Sequence, residues 1–345
     1  MPVIRFAMPF TKTRFPKARD LCHTQRMANA GSHFVGQARG ITLFLFALAL
    51  GLICQTAEAS ERRTFPLIED PRDGPVISIQ VNGVESTALV DTAATIAMID
   101  DKYLTPDQPL VPEDGTTRIL GLGGRREYPV TEISDLSIGA RSWREMRVAV
   151  NTSDQFPVRH GIVPLSLFQS SIVDFEFSRE RIRVYDGRPK RVRKAIISTI
   201  EYDDQHRLIF IPITVNRVDG FALIDTGATR SFVNPPFAQQ ARAVPDRYEQ
   251  ELLKGSDLSR QAAHLHTFRD FRFGDFRISK AKLPVLDTDL FEELGYGDAP
   301  MMVMGMDFLQ HFRLQVDQKR NRVTFAHSAN TRRGSPVQLR NQVPR

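Results

Sequence analysis

The stretch "FALIDTGATRSFVN", Phe221 to Asn234, places four apolar residues before an aspartate and a Thr-Gly-Ala turn after it. A charge at the buried end of a strand is costly unless something satisfies it. Alone, the stretch reads as a strand running into a tight turn, because Asp and Gly are common turn residues. The chain holds a second copy. "ISIQVNGVESTALVDTAATIAMID" (Ile77 to Asp100) lies over "IPITVNRVDGFALIDTGATRSFVN" (Ile211 to Asn234) at a constant offset of 134 residues with no gap. Asp91-Thr92 falls on Asp225-Thr226. A repeat of this length marks two copies of one structural unit, each presenting one carboxylate.

Both units read as β structure, with short alternating runs such as "VISIQV", "LIFIPITV" and "RIRVYD" broken by Gly, Asn and Asp turns. After each Asp-Thr turn comes a polar stretch and then a strand pair, "DLSIGARSWREMRVAV" (Asp135 to Val150) or "DFRFGDFRISKAKLPV" (Asp270 to Val285). Each unit closes with a short helix candidate and a final strand. The expected fold class is all-β, with two lobes related by a pseudo-two-fold axis.

The 345 residues suit two modest domains, and 41% apolar content is ordinary for globular protein. "ITLFLFALALGLI" (Ile41 to Ile53) followed by Ala57-Glu58-Ala59 is a secretory signal pattern, short for a membrane span of about 20 residues. The expected organisation is a signal peptide over 1–59, an N-terminal lobe over 60–187, a basic linker over 188–200, a C-terminal lobe over 201–327 and a disordered tail over 328–345. The protein is then periplasmic or secreted, without stable membrane insertion after cleavage; a membrane anchor is the alternative if the signal is kept. Losing 1–59 removes seven bases and two acids and leaves 39 against 38, so the high overall charge gives no reason to propose nucleic acid. Both cysteines, Cys22 and Cys54, go with it, which excludes disulfides and thiol chemistry. "GRPKRVRKA" (Gly187 to Ala195) has no interleaved aromatics and reads as a solvated linker.

Equivalent turns near a two-fold axis face each other, so Asp91 and Asp225 are expected to meet. Two carboxylates at such range share one proton. One then acts as base toward a water held between them, and the other as acid toward the carbonyl that the water attacks. Neither a metal nor another cofactor is called for. His264 and His266 share a strand face, yet no third ligand accompanies them.

At these residues the chain resembles the aspartic proteases of the retropepsin type, in the two-repeat form of secreted bacterial proteins. The resemblance covers roughly residues 65–326. Its carriers are "ALVDTAAT", "ALIDTGAT", the Gly-rich "GLGG" (Gly121 to Gly124) and "MGMDFL" (Met304 to Leu309). It implies two β-barrel lobes, each with a short helix, and a catalytic dyad of Asp91 and Asp225. It also implies that Thr92 and Thr226 lock the two turns, with Ala93 and Gly227 beside them, and that Gly121, Gly123 and Gly124 form a mobile flap. The function implied is an aspartic endopeptidase acting on polypeptide, working as a monomer with an internal pseudo-dimer. Two positions depart from the pattern. Ala93 stands where the second copy has Gly227, which projects a methyl toward the dyad, and Pro164 stands where it has Gly305. They raise a second reading, a catalytically inactive module that holds an extended peptide in the cleft between lobes.

Overall fold

The two copies of the repeat build the same strand order twice. The computed structural model describes residues 63–105, 115–152, 161–192, 195–199, 201–202, 208–255, 259–274 and 276–327, all within one compact unit, Ala57–Arg345. The signal pattern and the tail lie outside the described residues. The N-terminal lobe contains β1 (Arg63–Pro66), β2 (Val76–Val81), β3 (Val84–Asp91), β4 (Met98–Asp100), β5 (Thr116–Gly121), β6 (Gly124–Ile138), β7 (Arg141–Asn151), β8 (Gly161–Pro164), β9 (Ile172–Glu176) and β10 (Arg181–Tyr185). After it come β11 (Ile196–Thr199), β12 (Glu201–Tyr202), β13 (Ile209–Val215), β14 (Val218–Ile224), β15 (Phe232–Val233), β16 (Val244–Lys254), β17 (Arg260–Phe273), β18 (Phe276–Val285), β19 (Met301–Met304), β20 (Phe312–Asp317) and β21 (Arg322–His327).

In the first lobe the sheet order is β2-β3-β8-β4-β7-β6-β5; in the second it is β13-β14-β19-β15-β18-β17-β16, with β12 added at the edge. Each sheet closes on itself, through β2–β6 in one lobe and β13–β17 in the other. The two lobes are β-barrels of one topology, and the fold is mostly strand with few short helices. The repeated "VN" explains part of the closure. Asn82 and Asn216 sit at the hairpin turns with φ of 51° and 49°, a left-handed conformation that Asn tolerates. From there the Asn82 amide oxygen accepts from the backbone N–H groups of Ser134 and Asp135, and that of Asn216 from those of Arg269 and Asp270. Each side chain thus pins its hairpin to the strand that shuts the barrel.

The helices differ between lobes. The second has α1 (Pro235–Gln240), α2 (Asp289–Glu293) and α3 (Met306–Leu309). At the places of α1 and α3 the first lobe has single 3-10 turns, Asp101–Tyr103 and Leu165–Leu167. The short helix expected there is therefore one turn long. Pro164 precedes the second turn with extended dihedrals, φ −75° and ψ 157°, and donates no backbone hydrogen bond.

A third sheet joins the lobes, in the order β1-β10-β9-β20-β21-β11. Its central pair, β9 with β20, runs antiparallel across the lobe boundary and matches Phe175 to Leu314 and Val173 to Val316. The stretch expected as a basic linker, 188–200, meets this sheet at its C-terminal end. Residues 196–199 are β11, paired with β21, and Lys190 exchanges two hydrogen bonds with the Gln315 side chain. Backbone groups laid over a sheet need partners, and the sheet edge supplies them.

On one face of this sheet, buried Asp174 and Glu176 of β9 meet four arginines, of which the exposed Arg179 lies 3.6 Å from Glu176. Arg313 of β20 reaches Asp174 at 2.8 Å and Glu176 at 3.1 Å; Arg183 reaches Asp174 at 3.1 Å, and Arg181 reaches Glu176 at 2.6 Å. Removing a partner from buried charges costs more than the pair's net worth, because the remaining charge keeps its desolvation penalty. Arg313→Met is thus expected to lower the unfolding free energy by about 2–3 kcal/mol. Urea denaturation measures this, and a loss below about 0.5 kcal/mol would show that Arg181 and Arg183 suffice.

Candidate active site

Strands β3 and β14 run through the middle of their barrels, which is why "ALV" and "ALI" are buried. Each pairs in parallel with the strand beside it, β3 with β8 and β14 with β19. The two aspartates end these strands half-buried. An inner carboxylate oxygen of each is satisfied by its own turn. Asp91 Oδ1 accepts from the N–H groups of Ala93 at 2.7 Å and Ala94 at 3.1 Å. Asp225 Oδ1 accepts from Gly227 at 2.8 Å and Ala228 at 3.0 Å. This is how the chain tolerates a carboxylate at a strand end.

The turns are tied to each other by buried threonines. Thr92 Oγ1 donates to the carbonyl of Ile224 at 2.6 Å and accepts from Thr226 N–H at 3.0 Å. Thr226 Oγ1 donates to the carbonyl of Val90 at 2.7 Å and accepts from Thr92 N–H at 3.0 Å. The four bonds are reciprocal across the pseudo-two-fold axis. Satisfied groups of this kind fix a separation that neither lobe could set by itself.

The carboxylates so held lie close enough for their ionisations to be coupled. Burial lifts Asp91 above the ordinary carboxyl range, while the Ala93 and Ala94 N–H groups and the bond from Asp225 work against the rise. Burial and then the charge of Asp91 push Asp225 up to about 8. One proton is shared by the pair.

Glycine is required at one of the turns. A Cβ at Gly227 would lie 2.4 Å from Asp91 Oδ2 and 2.7 Å from its Cγ, so the outer oxygen of Asp91 occupies the space that a side chain would need. Ala93, which stands in the place of Gly227, is partly buried and packs against an apolar cluster built mainly by the C-terminal lobe.

The second lobe braces its turn with residues that the repeat does not reveal. Asp307 accepts from Ser231 N–H at 3.0 Å, and Ser231 Oγ accepts from Gly305 N–H at 2.8 Å. Arg230 joins Asp307 at 3.2 Å and Glu251 of β16 at 2.7 Å. Burial lifts the Asp307 carboxyl above its ordinary range, while Arg230 and Ser231 oppose the rise. A Cβ at Gly305 would meet the Ala228 carbonyl at 2.6 Å. In the first lobe the corresponding residues are Ile96, Ala97, Ser166 and Pro164. Arg230 opposite Ile96 and Ser231 opposite Ala97, a polar residue against an apolar one, were the available signal, while Asp307 opposite Ser166 gave none.

Gly121, Gly123 and Gly124 lie at the tip of the β5–β6 hairpin, where Gly121 pairs with Gly124 and Gly124 adopts φ +103°. The β16–β17 hairpin occupies the same place in the other lobe's strand order, so a second hairpin accompanies the one read from "GLGG". Residues 256–258 at its tip lie outside the described residues. His264 bonds to Gln250 at 3.1 Å and lies exposed on β17. Among the described residues, no group of three or more His, Cys, Asp or Glu side chains converges as metal ligands would.

No curated protein matches the chain. A family model described as aspartyl protease matches it twice, over residues 77–164 and 211–308, one match for each barrel and its Asp-Thr turn. With more than half of its length accounted for in this way, the chain belongs to the aspartyl protease family.

Proposed function

We propose that the protein is an aspartic endopeptidase in which Asp91 and Asp225 activate a water for attack on a peptide carbonyl. The observation that carries this reading is the reciprocal bonding of Thr92 and Thr226, which holds two proton-sharing carboxylates at one point between the lobes. Asp91, the better acceptor, takes a proton from the water as it attacks. Asp225 gives its proton to the carbonyl oxygen, and the pair later returns a proton to the departing amine. Each carboxylate's inner oxygen stays bound to its turn, so the outer oxygens face the reacting atoms. Polypeptide is the substrate class proposed, on the strength of the family match. Both aspartates come from one chain, so a monomer suffices. Export is proposed on the signal pattern alone, with the periplasm or the exterior as the place of action.

The alternative raised by Ala93 is an inert module that holds an extended peptide without cutting it. Digestion of an unfolded protein, with and without a statine-type inhibitor, separates the two. An inhibitor-sensitive cut supports the peptidase; peptide held by wild type without cleavage at any pH overturns it. The pH profile adds a sharper expectation. The working dyad carries one proton, and it is lost as pH rises through the raised value of Asp225, about 8. Activity should therefore persist to neutral pH and fall above about 8, which kcat/KM across the pH range will show. Activity confined to pH below about 4, the ordinary Asp range, would contradict this site.

A further inference from the structure

The sheet that joins the lobes buries one face and shows the other. Strand alternation sends Val173, Phe175, Ile182, Leu314 and Val316 into the core. It leaves Arg181, Arg183 and Arg313 on the outer face, over the acids Asp174 and Glu176. Those arginines are occupied by the buried acids, and a rim of further cations surrounds them. The basic run after β10 is fastened to this face. Lys190 bonds to the Gln315 side chain through its N–H and its carbonyl, and Arg320 Nη1 donates to the Gly187 carbonyl at 2.7 Å. Arg188 and Arg191 are thereby held beside the sheet, exposed, together with Lys319, Arg320 and Arg322 of the β20–β21 hairpin.

The imbalance of charge is large. Residues 172–194 and 312–322 hold twelve Lys or Arg against five Asp or Glu, whereas the rest of 60–345 holds 27 against 33. The near-neutral total therefore hides a separation, with the joining sheet positive and the remainder negative. The flanking chain also meets the molecule at this sheet. Nine residues separate the apolar run Ile41 to Ile53 from β1, the edge strand, and 328–345, which follows β21, holds four arginines and no acid.

We propose that the outer face of the joining sheet rests against a bilayer with anionic headgroups, held by Arg188, Arg191, Lys319, Arg320 and Arg322. Each Lys or Arg near such a surface adds an attraction that salt screens. A polybasic patch binds reversibly by itself and more firmly beside an inserted apolar segment. The aromatic of this face, Tyr185, is buried, so it offers no platform on which nucleic-acid bases could stack. Neither dyad aspartate belongs to the face, and the proposal does not depend on cleavage.

The test sediments the full chain with vesicles of phosphatidylcholine, alone or with about a quarter of phosphatidylglycerol, at low and high salt. Partition onto the anionic vesicles should exceed that onto the neutral ones by about tenfold or more at low salt and lose most of this excess at high salt. An apolar segment adds to both vesicle types and cancels in the ratio. Arg188→Gln, Arg191→Gln and Lys319→Gln combined should lower the ratio about tenfold with an unchanged melting temperature, because all three side chains are exposed. The same exchange at exposed Arg144, Arg247 and Arg269 removes as much charge elsewhere and should leave the ratio within about twofold. Equal loss in the two triple variants, or no loss in the first, overturns the proposal. So does a duplex DNA probe that the wild type holds more tightly than the anionic vesicles and the first variant releases.

Discussion

Asp225→Asn is expected to reduce cleavage by at least about a thousandfold, as is Asp91→Asn, because each replaces one half of an acid–base pair with an amide that neither gives nor takes the proton. The fold should survive, since the amide oxygen can still accept the turn N–H groups of Gly227 and Ala228. Stability should respond with a definite sign. The Asp225 carboxyl titrates near 8 in the folded protein and near 4 in the unfolded chain. Its contribution to stability is complete below about pH 4 and is lost as pH rises through about 8, because over that window only the unfolded chain gives up the proton. Asparagine does not titrate. The melting temperature of Asp225→Asn minus that of wild type should therefore climb between these limits and level off above them. A difference that stays flat with pH would mean that Asp225 carries no raised pKa and that the proton assignment is wrong.

Gly227→Ala and Ala93→Gly form the second decisive pair, and the expected effects are opposite in size although the positions are equivalent in the repeat. At Gly227 a methyl would overlap the outer oxygen of Asp91, and the Thr226 bonds on the neighbouring residue leave the turn little room to retreat. The carboxylate would have to move off the axis, and a loss of kcat of about a hundredfold or more is expected, as misplacement of about 1 Å can cost that much. The variant should still fold. At Ala93 the methyl faces apolar side chains, so its removal should change kcat by no more than about threefold and cost about 1 kcal/mol of stability through lost packing and added backbone freedom. Steady-state kinetics on both variants, with thermal denaturation alongside, decides the matter. A large gain from Ala93→Gly would mean that the methyl crowds the dyad after all.

The contrast between these two positions shows how far the sequence reaches. "ALVDT" and "ALIDT" at one offset of 134 residues identify both aspartates and both threonines, because a buried strand, a turn and the bonds from an Asp side chain to the next N–H groups are all local. The barrels follow from the same regularity, since the alternating strands and the two Asn turns recur in register. Yet Ala93 and Gly227 look interchangeable in the repeat, and their difference arises only because Asp91 leans over Gly227 from the other lobe. The bracing of Arg230, Ser231 and Asp307 was equally hidden, because Ser231 and Asp307 stand 76 residues apart and their counterparts in the first copy form no such set.

The sequence by itself determined that there are two β units, that each ends a buried strand in an Asp-Thr turn, and that the carboxylates come as a pair. Only the tertiary structure decided that segment 196–199 belongs to a sheet joining the lobes, that each threonine bonds to the opposite turn, and that the tip of one lobe's hairpin rests in the other lobe's apolar cluster. The physical reason is range. Periodicity and turn chemistry act over a few residues and are written in spacing, whereas desolvation, proton sharing and packing across the two-fold axis depend on which distant groups the closed barrels bring into contact.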